Sequence, residues 1–424
     1  MNAAYPIRPI SDSEFPDFYA VIEHAFNSGW PTEPELQHDL ATFEFDRTLA
    51  AFDGPQMVGT TAAFTFQMTV PGHTAPVAGV TAVAVLPSHR RRGILSSLMR
   101  RQLADIRDRG EPVAALFSAE SGIYGRYGYG PASSELSFTI RRGESVMAPA
   151  GPGRTQPVPR LRITDPQQAK DALAKVYDHV QRERPGMPAR DDRWWDYTLW
   201  DPEHRRSGAS PTRCVVAEDD SGPRGYALFS AISDWGDHGM PAGVLRVQEL
   251  MATDPAAHAT IWGDLLTRDL VAEVRARSRP VDDPLPYLLA DGRRVRAQLE
   301  DSLWVRLVSV PESLTRRRYA CPVDVVIEVA DELIAGNAGR WRLRAGPQAG
   351  RDGPAAAARA SCERTSAPAD VILPVETLGA AYLGGTRLGA LAGAGLAVEL
   401  RPGAVTALSA ALAWDPAPWC PAIF

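Results

Sequence analysis

VTAVAVLPSHRRRGILSSLMRRQL (residues 80–103) is the stretch on which the reading of this chain turns. The apolar run from Gly79, stopped by Pro87, predicts a strand. Ile94, Leu95, Leu98, Met99, Leu103 and Ile106 then recur at helical spacing on one face. Between strand and helix stands HRRRG. A helix start carries unpaired N–H groups and a partial positive charge, so it receives phosphates readily. Gly93 lets a backbone approach a pyrophosphate closely, and Arg90 to Arg92 add fixed charge. The pattern is neither a P-loop nor the Rossmann glycine series. On spacing alone, a solvated basic helix start explains the segment equally well.

Working outward, Ser11 and Glu14 form a capping box ahead of Phe15, Phe18, Ile22, Ala25 and Phe26, which keep helical spacing. From Met57 the period becomes two. Ala62, Phe64, Phe66, Met68 and Val70 alternate with Thr61, Ala63, Thr65, Gln67 and Thr69, the pattern of a half-buried strand. PVAALFS (112–118) is strand-like again. Strands, helix and strand indicate a mixed α/β sheet layer. SGIYGRYGYG (121–130) sets three tyrosines among four glycines, rigid bulk on a permissive backbone.

At 424 residues, with roughly 150 per domain, about three domains are expected. RRGESVMAPAGPGRTQPVP (141–159) predicts a boundary, and SLWVRLVSVPESL (302–314) opens a third unit. In the second unit, VQELMATDPAAHATIWGDLLTRDL (247–270) repeats the strand–proline–turn–helix layout of the opening stretch. This indicates an internal duplication whose second copy has AAHAT in place of HRRRG. RWWDYTLW (193–200) reads as core, or with Trp194 or Trp195 lining a pocket. In the third unit VDVVIEVAD and GRWRLRA are strand-like, TLGAAYLGG and VTALSAALAW helical, and 345–360 a loop. The tail DPAPWCPAIF holds three prolines and is expected to be extended.

Composition narrows the function. A net charge of -6 argues against a nucleic-acid partner. No apolar run reaches the roughly 18 residues of a membrane span, and no signal peptide is visible. Four scattered cysteines without CxxC imply a reduced, cytoplasmic protein. Eight histidines without HExxH or HxH imply no metal.

VAVLPSHRRRGIL, with IYGRYGYGPA and a chain ending on Phe, resembles the Eis family of GNAT N-acetyltransferases. In the family's Arg/Gln-x-x-Gly-x-Gly/Ala motif, Arg90 and Gly93 match and Leu95 departs. The resemblance covers the whole chain, most strongly 79–131. It implies an α/β (α+β mixed) fold of tandem GNAT-like domains followed by a sterol-carrier-protein-like domain. These are an acetyltransferase domain at 1–152, a degenerate copy at 153–302 and the third domain at 303–424. It further implies transfer of acetyl from acetyl-CoA to amines, aminoglycoside-like small molecules first among them, by a homo-oligomer, a hexamer. The alternatives are acetylation of lysine or N-terminal amines on proteins or peptides, and a lipid-binding carrier with a vestigial transferase.

Family roles map onto this chain as follows. Backbone groups of Val83, Ala84 and Val85 hold the pantetheine arm. The N–H groups of Arg91, Arg92, Gly93, Ile94, Leu95 and Ser96 cradle the pyrophosphate. Ala119 and Glu120 flank the cofactor on the other side. Tyr124 is the general acid, aimed by a tight turn at Gly122 and Gly125, while Tyr127 and Tyr129 pack. Tyrosine near pKa 10 and a thiol near 8.5 make that proton transfer close to balanced. The general base is the terminal carboxylate of Phe424, which gains from attraction to a cationic substrate. Ile423 departs from relatives that carry an acid there. Trp30 and Glu33, expected in the loop after the first helix, face the acceptor. Glu33 is then an amine ligand or a solvated loop charge.

Overall fold

A capping box opens the first helical segment. The Ser11 N–H donates to Glu14 Oε2 at 2.9 Å, and the Ser11 hydroxyl meets the same oxygen. The chain then enters α1 (Phe15–Phe26), which buries Phe15, Phe18 and Val21. A second box, Thr32 with Glu35, starts α2 (Glu33–Leu40). The computed structural model describes residues 5–151, 157–346 and 360–424. They form two units, one of residues up to Ser133 with Ser302–Pro418 and Ala422–Phe424, the other of Ser134–Asp301 with Trp419–Pro421.

The first unit is built on β1 (Ile7–Arg8), β2 (Leu49–Asp53), β3 (Gln56–Val70), β4 (His73–Val85), β5 (Val113–Phe117) and β6 (Gly130–Pro131). β1 to β4 are antiparallel neighbours. β4 and β5 are parallel and joined by α3 (Ile94–Asp108). β3 departs from the expected alternation, because Thr60, Thr61, Ala62 and Ala63 are all buried. Helices cover both faces of this sheet: Phe64 meets Phe43, itself against Phe15 and Phe18 of α1, while Ala63 packs with Met99 and Leu103 of α3.

A strand from far along the chain, Leu303–Leu307, lies between β5 and β6. It was expected to open the third domain. Its five residues are all buried, and LWVRL reads as a strand covered on both faces. The exception in chemistry, Arg306, is wholly buried and donates two hydrogen bonds to Asp331, at 2.8 and 2.7 Å. Pairing of this kind is what makes a buried charge tolerable.

The same unit holds a second, five-stranded sheet, of Ser361–Arg364, Gly339–Ala345, Val323–Ala330, Val371–Pro374 and Val398–Glu399 in that order. Helices Val375–Tyr382 and Ala404–Leu412 accompany it. Most of the loop expected over 345–360 lies outside the described residues. After Leu412 the chain has no helix or strand, in keeping with its prolines.

The second unit contains β7 (Ser134–Arg141), β8 (Arg160–Thr164), β9 (Arg213–Asp219), β10 (Gly222–Ile232), β11 (Gly243–Ala252), β12 (Val271–Pro280) and β13 (Gln298–Asp301). Their order is β13-β7-β12-β11-β10-β9-β8. After α5 (Lys170–Glu183) and α6 (Asp192–Leu199), parallel β11 and β12 are joined by α7 (Pro255–Thr267), the layout of β4–α3–β5 over again. The expected boundary at 152–153 lies outside the described residues, but β7, ahead of it, already pairs with β12 and β13. The Gly/Pro-rich stretch therefore follows a strand of the second sheet, because composition marks a loop and strand pairing marks a unit. No helix of the described residues is long and apolar enough to cross a membrane.

Candidate active site

β4 and β5 pair only from Val77 to Gly79 against Val113 to Ala115. β4 continues to Val85, so from Val80 onward its edge on this side has no strand beside it. β3 occupies the other edge, pairing Thr60 with Ala84 and Gly59 with Val85. A register shift there, with Ala82 at φ 53, marks a bulge that bends β4. Val83, Ala84 and Val85 stand on this open stretch, Ala84 buried and the other two half-buried. Backbone amides at such depth require partners, and an extended chain bearing amides, such as a pantetheine arm, satisfies them as a strand would.

The helix start after β4 is open as well. Gly93 is the N-cap of α3, at φ 83 and with nothing within 4 Å of where a Cβ would be. Arg91 also has positive φ, 64, a conformation that non-glycine residues adopt rarely and often at functional sites. No side chain caps the helix, which leaves the first-turn N–H groups of Ile94, Leu95 and Ser96 without partners inside it. The Ile94 and Leu95 side chains pack into the core, so these residues offer only backbone to a ligand. Arg91 and Arg92 are exposed, and Arg92 Nη1 reaches Tyr5 Oη at 3.2 Å. In α7 of the second unit the corresponding place is filled from within. Asp254 accepts hydrogen bonds from Ala256 N and Ala257 N, each at 2.9 Å, and is held by Arg224. A carboxylate thus occupies the position a phosphate would take, the physical sense in which the second copy is closed.

Beyond β5, Ala119 and Glu120 are exposed, and α4 (Ser121–Tyr124) begins. Tyr124 is buried, edge-on to Tyr129 at 6.1 Å, in one cluster with Met99 and Leu103 of α3. Tyr127 is buried and its hydroxyl meets Ser96 Oγ of α3 at 3.1 Å. Burial, with smaller effects of Tyr127 and Glu120, pushes the Tyr124 hydroxyl up to about 12. It is therefore a weaker acid than the expected balance required. A thiol buried beside it would rise for the same reason, which narrows the gap. The tight turn expected at Gly122 and Gly125 is not there: Gly125 is helical, with φ -55, and a Cβ would fit at both. The turn is at Gly128, φ 81, against the Arg306 guanidinium.

The last residue lies at the fork of the sheet. The Phe424 ring is 4.9 Å from that of Phe66 on β3 and 5.3 Å from that of Phe117 at the end of β5. Gly79, the last residue of β4 paired with β5, completes the seat: a Cβ there would stand 3.0 Å from Phe424 Cε2 and 2.3 Å from Phe66 Cε2. Neighbouring strand residues point to opposite faces. Leu116 packs with Tyr124 and α3, while Phe117 meets Phe424. Tyr124 and the Phe424 ring thus belong to opposite faces of the sheet, at its open end. Sequence reasoning missed Gly79, Phe66 and Phe117; the signal was a glycine inside a strand, which marks a close approach.

Of two other expectations, in the connection after α1, one is placed differently. Glu33 is not in a loop but opens α2, exposed, accepting from Gln37 Nε2 at 2.9 Å; Thr32-x-x-Glu35 is the signal that announces this helix. Trp30 does lie between α1 and α2, 66% exposed, with its ring against His24. In the second unit, Trp195 is core and Trp194 half-buried. Among the described residues no cluster of three metal-ligating side chains occurs.

Comparison with known proteins now carries weight. Models of an acetyltransferase (GNAT) domain match residues 6–132 and 186–307, and one of a sterol carrier protein domain matches 310–421. The chain is 42% identical to an uncharacterized N-acetyltransferase of Streptomyces avermitilis over 98% of both. It is 34% identical to N-acetyltransferase Eis of Mycobacterium tuberculosis over 80% of this chain and 79% of the relative. The chain belongs to the Eis family of GNAT N-acetyltransferases. Eis1 of Mycobacterium abscessus has the same fold, with a TM-score of 0.81 and 31% identity over 99% of this chain and all of that one. Membership makes the protein an acetyltransferase with two GNAT domains and a sterol-carrier-like domain. The GNAT fold implies acetyl-CoA as co-substrate, and the open β4 edge and uncapped α3 start fit a pantetheine and a pyrophosphate.

Proposed function

We propose that this chain acetylates amines of cationic small molecules of the aminoglycoside class, with Tyr124 as general acid and the Phe424 carboxylate as general base. The observation that carries the reading is the seat of the Phe424 ring among Phe66, Phe117 and Gly79. A C-terminal residue ordinarily frays; one anchored at the fork of the sheet has a use there. Bound acetyl-CoA supplies the acetyl group as a thioester. Val83 to Val85 hold its arm through their backbone, and the first turn of α3 with Arg91 and Arg92 neutralises its phosphates. Ala119 and Glu120 border it on the β5 side. The Phe424 carboxylate attracts the ammonium of the acceptor and takes a proton from it. From the other face, Tyr124 Oη delivers a proton to the departing sulfur and, with its raised pKa, stays protonated at any working pH. Trp30, exposed on the connection from α1 to α2, offers an apolar wall to the acceptor, and Glu33 at the head of α2 a second carboxylate for a polyamine.

The test is an acceptor screen that follows free thiol released from acetyl-CoA and identifies products by mass spectrometry. Acetylated aminoglycosides are the expected products. Turnover confined to lysine-bearing peptides would contradict the proposed substrate class.

A further inference from the structure

We propose that Tyr127, through its bond to Ser96, is a positioning residue that sets the reach of Tyr124 to the departing sulfur. The inference rests on the reading of Tyr124 as general acid, and every group it needs lies in the first unit. Ser97 N donates to Gly93 O at 3.0 Å, the first main-chain bond of α3. The Ser96 N–H is thus the last of those that the helix start leaves open to a phosphate. The two serine hydroxyls take different directions. Ser97 Oγ turns back to Gly93 O at 3.2 Å, while Ser96 Oγ leaves the helix for Tyr127 Oη, 3.1 Å away. Tyr127 is 3% exposed, and a buried phenol needs such a partner.

Tyr124 and Tyr127 stand three residues apart on helical backbone, so their rings fall on one side, in the cluster with Met99 and Leu103 of α3. The segment that carries them is braced within itself. Arg126 Nε donates to Ile123 O at 3.0 Å and its Nη2 to Gly122 O at 3.5 Å. Gly128 N donates to Gly125 O at 2.9 Å and Tyr129 N to Tyr124 O at 3.3 Å. The Tyr124 hydroxyl makes no hydrogen bond of its own among the described residues, so its place is set by the segment.

Ser96 therefore carries two links. Its N–H serves the pyrophosphate, and its hydroxyl holds the segment of the general acid. A hydroxyl donates and accepts at once, so Ser96 keeps Tyr127 even while it donates to a phosphate oxygen. The span from the cofactor's phosphates to the Tyr124 hydroxyl is in this way fixed from the cofactor's own cradle. In the step concerned, the amine nitrogen bonds the acetyl carbon and the carbon–sulfur bond breaks. The Phe424 carboxylate takes a proton from the nitrogen, and Tyr124 gives one to the sulfur. A general acid must lie within hydrogen-bond reach of the atom it protonates. A looser segment slows this step and leaves cofactor binding nearly intact.

The experiment is a double-variant cycle on the full chain with an untagged C-terminus, comparing wild type, Tyr127→Phe, Tyr124→Phe and both together. The acceptor is the best amine of the acceptor screen. Turnover, its solvent deuterium isotope effect, and acetyl-CoA affinity by calorimetry are read for each. Tyr127→Phe is expected to lower kcat about tenfold. That is less than the roughly 10²-fold of a 1 Å misplacement, because the ring keeps its packing. Acetyl-CoA affinity should stay within about threefold, and the isotope effect should rise as protonation of the sulfur becomes slower. In the Tyr124→Phe background Tyr127→Phe should add no further loss. Ser96→Ala, which keeps the N–H, should match Tyr127→Phe, and Ser96→Thr, which keeps a hydroxyl, should hold turnover within about twofold of wild type. An equal loss in both Tyr124 backgrounds, or an unchanged isotope effect, would make Tyr127 a merely structural residue and overturn the proposal. So would full turnover of Tyr127→Phe beside an impaired Tyr124→Phe. Full turnover of Tyr124→Phe would instead overturn the reading of the acid, and this proposal with it. If Tyr127→Phe does not fold, Ser96→Ala takes its place in the same cycle, with the same outcomes for and against.

Discussion

Gly79→Ala is the smallest change that should disturb the site without touching a group that performs chemistry. The new methyl would stand 2.3 and 2.7 Å from two carbons of the Phe66 ring and 3.0 Å from Phe424 Cε2. Ordinary carbon contacts lie at about 3.5–4.0 Å. Phe66 must therefore retreat by roughly 1 Å, and Phe424, packed on it at 4.9 Å between ring centres, must move with it. Overpacking of this kind costs about 1–3 kcal/mol of stability, which a chain of this size tolerates. The catalytic effect should be larger, since a 1 Å displacement of a reacting group lowers turnover on the order of 10²-fold. Gly79 precedes the open stretch of β4, so acetyl-CoA affinity should stay within about threefold. Stopped-time thiol release gives kcat and calorimetry the affinity. A kcat within twofold of wild type in a folded variant would refute the reasoning that the Phe424 seat governs the reaction.

Tyr124→Phe should lower turnover by about 10²–10⁴-fold while acetyl-CoA affinity is kept; turnover within twofold would show that another group protonates the sulfur. The Tyr124 hydroxyl, raised to about 12 by burial, should give no alkaline loss of activity below about pH 11, so a limb at pH 8–10 should persist in Tyr124→Phe. The same shift means that the neutral hydroxyl stabilises the fold fully below about pH 10, an effect lost as pH rises through 12; denaturant titrations across that window check it. Gly93→Glu should abolish acetyl-CoA binding in calorimetry, because a carboxylate would enter the uncapped start of α3, and wild-type affinity would displace the pyrophosphate site. From the family resemblance we expect a hexamer, and mass photometry finding only a particle near 46 kDa would count against it.

The parts of the fold legible in the sequence were those set by local pattern. Pro87 and the helical spacing from Ile94 mark β4 and α3, and the same layout at 247–270 marks β11 and α7. Pairing between distant segments was not legible. Nothing local in LWVRL says that it joins β5 rather than the sheet that follows it in sequence, and nothing in SELSFTIR says that it belongs with β12. The charge in LWVRL becomes acceptable only through Asp331, 25 residues on. At the site, the open helix start was readable from HRRRG, but the roles of Tyr124 and Phe424 came from resemblance. Their surroundings depend on chain ends and strand edges meeting in space. The error over Gly122 and Gly125 has a physical lesson: glycines in a row do not say which one bends, and here Gly128 does.

The central claim is that a free α-carboxylate at residue 424 takes the proton from the acceptor amine. The most direct measurement compares the untagged enzyme with a chain extended by one glycine after Phe424, which turns that carboxylate into an amide and leaves the ring in place. The account predicts unchanged acetyl-CoA affinity and a kcat lower by about 10²–10⁴-fold. An extended enzyme that acetylates amines as fast as the untagged one would contradict it.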